Sequence, residues 1–78
     1  MRDTIRDIVS RRGKLRVAVE RLDDDSDLFD NGMDSLAVVD VMLSIEEAFG
    51  LEFPDSLLNR NSFSTIASLE RAILSVRQ

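Results

Sequence analysis

The chain has no cysteine, histidine, tryptophan or tyrosine. Without cysteine there is no disulfide, no thiolate nucleophile and no cysteine-based metal site. Without histidine, the usual general base beside a serine nucleophile is missing. No apolar run is long enough, or free enough of charge, to span a bilayer. Asp3 and Asp7 interrupt the first residues, which therefore do not read as a signal peptide, and the expected compartment is the cytoplasm. Basic residues are absent from positions 22–55, a stretch that holds eleven Asp or Glu. The 21 residues before it hold seven Arg or Lys against three acids, and residues 56–78 hold three Arg and one Glu. The acidic block disfavours nucleic acid and anionic membrane and favours a partner with a basic surface. The plainer reading is a solvated acidic face.

With 78 residues, 44% of them hydrophobic, residues 1–78 are expected to form one domain around a small core. A chain of this size buries about 60% of its unfolded surface, so its stability should be modest.

The longest amphipathic stretch is Leu36 to Phe49, whose only polar members are Asp40, Ser44, Glu46 and Glu47. Two apolar stripes run along it at helical spacing. One is Val38, Val41, Met42, Ile45 and Phe49; the other is Leu36, Val39 and Leu43. One stripe docks a helix on a core. The second, edged by Asp40, Glu46 and Glu47, is surplus for a small monomer and points to full burial or to a partner.

Ser35 stands where this helix opens. Gly32 allows a turn before it, and Asp34 is a good N-cap. Ser35 is then the first helical residue, near the positive end of the helix dipole, where an attached phosphate is favoured. Asp and Ser also begin many helices that do nothing chemical.

Along the chain, Asp3 to Arg12 reads as a first helix, with Ile5, Ile8 and Val9 inward, Arg2, Arg6, Arg11 and Arg12 solvated, and Gly13 as its stop. Lys14 to Met33 reads as a long ordered loop, with a helical extension near its start, anchored by Val17, Val19, Leu22, Leu28 and Phe29. Such a loop is unusual in a compact domain unless it is functional. Asp23, Asp25 and Asp27 alternate as in a calcium loop, but the sixth position is Leu28 rather than Gly and the twelfth is Asp34 rather than Glu, so no metal site is expected. Gly50 ends the long helix and Pro54 starts a new turn. Asp55 to Arg60 reads as a short helix with Leu57 and Leu58 inward, broken by Asn59 and Asn61. Ser64 is the expected N-cap of a last helix, Thr65 to Val76. The fold class is all-α: three main helices plus one short helix, with the long loop between helices one and two.

The order Asp27-Leu28-Phe29, Asn31-Gly32-Met33-Asp34-Ser35-Leu36, Ile45-Glu46-Glu47-Ala48-Phe49, Leu51-Glu52-Phe53-Pro54-Asp55 and Phe63-Ser64-Thr65-Ile66 resembles an acyl or peptidyl carrier protein over nearly the whole chain. An Asp-Ser-Leu triplet alone is a weak signal; with the glycine before it, the Glu-Glu-x-Phe helix ending and the Phe-Pro turn it is a strong one.

The resemblance implies that Ser35, beside Asp34, carries 4′-phosphopantetheine transferred from coenzyme A by a phosphopantetheinyl transferase. It implies that the chain is not an enzyme. The thiol belongs to the cofactor and the chemistry to partners: a ligase that loads an acyl or aminoacyl group as a thioester, and a transferase or synthase that takes it. Leu36, Val39 and Leu43 correspond to partner-facing apolar positions, and Asp40, Glu46 and Glu47, with Asp34, to an acidic recognition surface. Ser56, Asn59 and Arg60 stand where the fatty-acid type has acids. The run from Leu51 to Phe63 is similar to small free-standing carriers loaded with an amino acid by ligases that resemble seryl-tRNA synthetases. Aminoacyl cargo is therefore expected, on a monomer; a fatty-acyl, polyketide or peptide carrier is the alternative. From a different class, an unmodified acidic helical interaction domain fits the same charge pattern.

Overall fold

The computed structural model describes residues 1–77 and contains four α-helices among them: α1 (Arg2–Arg12), α2 (Ser35–Phe49), α3 (Arg60–Phe63) and α4 (Ile66–Arg77). Single 3₁₀ turns lie at Val19–Arg21 and Asp55–Leu57, and no strand occurs among the described residues. The all-α expectation, with three main helices and a short one, holds. The helical turn in the long loop, Val19–Arg21, lies in its first half, as a separate 3₁₀ turn.

The helices bury the faces that their spacing marks. Ile5, Ile8 and Val9 come from α1, Ala37, Val41 and Ile45 from α2, and Ile66, Leu69, Ala72 and Ile73 from α4. The loop adds Val19, Leu28 and Met33, and Phe53 and Phe63 close the other side in an edge-to-face pair with centroids 5.5 Å apart. On α2, the fully buried line is Ala37, Val41 and Ile45, while Val38, Met42 and Phe49 pack half-buried at its margin. The inward stripe is thus turned by one position from the expected one, so that Phe49 flanks the core rather than filling it.

Local chemistry moves several boundaries. Gly13 ends α1 with ordinary right-handed angles; a side chain there would meet the Val9 carbonyl oxygen at 2.6 Å. The left-handed residue that turns the chain is Lys14, at φ 55°. Asn59 starts α3 instead of breaking a helix, its Oδ1 accepting from Ser62 N at 3.0 Å. Leu58 is consequently exposed, not inward. Ser64 terminates α3, and the cap of α4 belongs to Thr65. Its Oγ1 accepts from Ser68 N, and Ser68 Oγ accepts from Thr65 N.

The long loop is fixed by polar groups as well as by its apolar Val19, Leu22, Leu28 and Phe29. Val17 is exposed and anchors nothing. Arg6, expected in solvent, is half-buried and donates to Val19 O, Leu22 O and the Asp24 carboxylate. Arg2 pairs with Asp24 and Glu70. Leu28 N donates to Ser64 O and Ala67 N to Asp24 O, which ties the loop to the start of α4.

Candidate functional site

The site is built from the end of this loop and the first turn of α2. Asp27 Oδ1 accepts from Phe29 N and Asp30 N, and Asn31 Nδ2 donates to Asp27 O, so Asp27 folds the chain over itself. Of the alternating Asp23, Asp25 and Asp27, Asp27 is thereby engaged with the backbone amides of Phe29 and Asp30. Leu28 and Met33 are buried on either side of the turn. Between them Gly32 has φ +117°, and a side chain there would meet Arg16 N at 3.0 Å and Lys14 O at 3.1 Å. Both the backbone angle and the close approach require glycine. Arg16 N donates to Asn31 O and its side chain to Asp30 O, closing the contact.

With Leu28 and Met33 pinned, the next residues are forced outward. Asp34 has extended angles, and its Oδ1 accepts from Ala37 N at 2.9 Å. Its own carbonyl accepts from Val38 N, starting the α2 ladder. Ser35 follows as the first helical residue, exposed, with its hydroxyl in no hydrogen bond to a described residue. The backbone N–H groups of Ser35 and Leu36 precede the ladder and form part of the positive end of the helix dipole. The donor set suits an ester phosphate on Ser35: an exposed hydroxyl and open amides.

From Ser35 an apolar cleft of about 320 Å³ runs between α2 and α3, lined by Phe29, Val38, Val39, Met42, Leu58 and Phe63, with Asn59 and Arg60 at its polar side. The spacing in the sequence gave no sign of it. Its walls come from three separate segments.

Beyond Ser35 the second stripe stands clear of the core. Leu36 is 74% exposed, Val39 47% and Leu43 52%. Asp40 and Glu47 are exposed beside them. Glu46 differs: it is half-buried, and its Oε2 accepts from Phe53 N at 2.9 Å. No helix among the described residues is long and apolar enough to cross a membrane.

Comparison with known proteins agrees with this geometry. An aminoacyl carrier protein of Agrobacterium fabrum is 47% identical over 73 residues, covering 94% of this chain and 88% of the relative. A D-alanyl carrier protein of Lactobacillus acidophilus is 45% identical over 42 residues, 53% of each chain. Among solved structures, a carrier protein from Agrobacterium tumefaciens, crystallised with an engineered Bradyrhizobium japonicum glycine:[carrier protein] ligase and AMP, superposes with a TM-score of 0.92 at 46% identity, covering 95% of this chain and 99% of that one. The phosphopantetheine attachment site family matches residues 3–73. An exposed serine on a capped helix start, set in this bundle and matched over this span, makes the chain a member of the phosphopantetheine-attachment family of carrier proteins, whose prosthetic group is 4′-phosphopantetheine.

Proposed function

We propose that this protein carries an aminoacyl group as a thioester on 4′-phosphopantetheine esterified to Ser35. The observation that carries this reading is the exposed, unbonded Ser35 hydroxyl, held outward by the buried Leu28 and Met33 and by the Asp34 cap. When bound, the group supplies the terminal thiol that the chain itself lacks. The chain's own residues hold and present. Asp34 fixes the first turn of α2. The open amides of Ser35 and Leu36 favour the phosphate. Leu36, Val39 and Leu43, rimmed by Asp40 and Glu47, dock partners that have basic rims. With no histidine or cysteine beside Ser35, bond making and breaking belongs to those partners.

Amino-acid cargo is supported by the aminoacyl carrier relative at 47% identity and by the 46% identical carrier seated on a glycine ligase. A ligase of that class is the loading partner in this reading, and a phosphopantetheinyl transferase acts before it. Both meet the carrier in the cytoplasm, where coenzyme A is drawn upon. The test is intact mass after incubation with coenzyme A and a broad-specificity phosphopantetheinyl transferase, followed by glycine, ATP and a carrier-protein ligase. Wild type should gain the arm and then an aminoacyl group. Ser35→Ala should fold and gain neither. A mass gain in that variant would place the arm elsewhere, and holo protein that no amino-acid ligase loads would remove the aminoacyl cargo.

A further inference from the structure

Arg60 is the only charged residue of the nine that line the cleft beginning at Ser35. It is also the first basic residue after Arg21. Its guanidinium carbon lies 4.0 Å from the centroid of the Phe29 ring. Stacking of this kind uses the flat face of the guanidinium and leaves the in-plane N–H donors open. Arg60 takes part in none of the four ion pairs of the described residues, which occupy Arg2, Arg6 and Arg11. Its backbone is set by Asn59, whose side chain donates to Ser56 O and accepts from Ser62 N. The chain thus keeps one unpaired, pre-oriented guanidinium on the cleft wall, just past the acidic block of residues 22–55.

We propose that Arg60 grips the phosphodiester of the arm on Ser35 and lays the arm along the Phe29 side of the cleft. This rests on the carrier reading above. A phosphodiester presents two non-bridging oxygens that the planar guanidinium fork can bind through paired N–H donors. Ser35 follows Asp34 directly and lies in the block of residues 22–55, whose eleven acids repel that anion. Among the cleft residues, only Arg60 offsets them. Phe29 keeps the side chain from collapsing onto one of these acids, since the cation is already held over an aromatic face.

The test uses wild type, Arg60→Gln, Arg60→Lys and Lys14→Gln, each taken through the transferase reaction. Lys14→Gln removes the same charge from a loop that does not line the cleft. Intact mass is read first. The phosphorus-31 resonance of the phosphodiester and the nitrogen-15 signal of Arg60 Nε are then recorded. The expected result is an Arg60 Nε signal that moves between apo and holo wild type. The phosphorus resonance should move in Arg60→Gln, move partly in Arg60→Lys and stay in place in Lys14→Gln. If wild type gains no arm, the carrier reading falls and takes this inference with it. If the arm is present and the phosphorus resonance is the same in wild type and Arg60→Gln, or Lys14→Gln moves it as much, the carrier reading stands and the Arg60 contact is overturned. Should Arg60→Gln fail to fold, the Arg60 Nε signal and Arg60→Lys decide.

Discussion

Glu46 and Phe53 are joined by a 2.9 Å hydrogen bond from the Phe53 backbone amide to Oε2 of the Glu46 carboxylate. The same residue's carbonyl accepts from Gly50 N and Leu51 N. Glu46 therefore closes the turn at the end of α2 and steers Phe53 into the core against Phe63. The sequence alone placed Glu46 with the docking acids; the structure gives it an internal partner as well.

That bond predicts how Glu46 variants behave. Glu46→Lys should lower stability by about 1–3 kcal/mol, because a half-buried amide loses a charged acceptor. In a domain of this size, each kcal/mol lowers the melting temperature by about 4–8 °C. Glu46→Gln keeps an acceptor oxygen and should lose less. Thermal melts of the two variants check this, and a wild-type melting temperature in Glu46→Lys would dismiss the tie.

Acid stability should depend on Asp24. The hydrogen bond from Arg6, and then the one from Arg2, hold its carboxyl below the usual aspartate range, against partial desolvation. A lowered folded value means that the carboxylate stabilises the fold fully above the unfolded value of about 3.9. The contribution fades as pH falls through the lowered folded value. Asp24→Asn should melt lower than wild type at neutral pH and lose less between neutral pH and about pH 2. Both pairs are partly exposed, so moderate salt should narrow the difference. Melts across that pH range are the check. Parallel curves for the two proteins would leave the acid limb to other groups.

The parts legible in the sequence are those that repeat or punctuate. The outward stripe of α2, Gly32, the Asp34 cap and Ser35 are local patterns, and the structure keeps each where the pattern put it, while the inward stripe is turned by one position. What stayed hidden is held by single side chains reaching far along the chain. Arg6 bonds residues 13 to 18 positions away, Glu46 reaches Phe53, and Arg60 lies over Phe29. A long polar side chain has no period that reports its destination. The boundaries of α3 are not legible in the sequence because Asn is both a helix breaker and an N-cap, and only the bond from Ser62 N to Asn59 Oδ1 decides.

The rotated inward stripe of α2 reorders the core. Ile45 is fully buried, whereas Phe49 only flanks the cluster. Ile45→Ala should cost about 2–5 kcal/mol. Phe49→Ala should cost less than the 3–5 kcal/mol or so typical of a buried phenylalanine, because its ring already meets solvent. Denaturant unfolding of both variants checks the order. A larger loss at Phe49 would restore the stripe that simple spacing suggests.

The exposed stripe and its acids can be tested apart from folding, now that Glu46 is set aside. Asp40 and Glu47 are exposed and have no ion pair among the described residues, so reversing either to Lys should leave the unfolding free energy within about 0.5 kcal/mol of wild type. If they only solvate the surface, the holo protein should load at the wild-type rate. If they steer a basic partner, Asp40→Lys and Glu47→Lys should slow association, and the gap should shrink as salt rises, since exposed charges are screened over about 10 Å at 0.1 M ionic strength. Leu43→Ala removes an apolar contact at the middle of the stripe. It should raise the carrier KM by about tenfold, at roughly 1.4 kcal/mol, with little salt dependence of its own. Loading rates for the four holo proteins at low and moderate salt separate the two terms. Charge acts on the approach and fades with salt, whereas apolar contact acts on the formed complex and does not. Equal loading by all four at both salts would move the docking surface off α2.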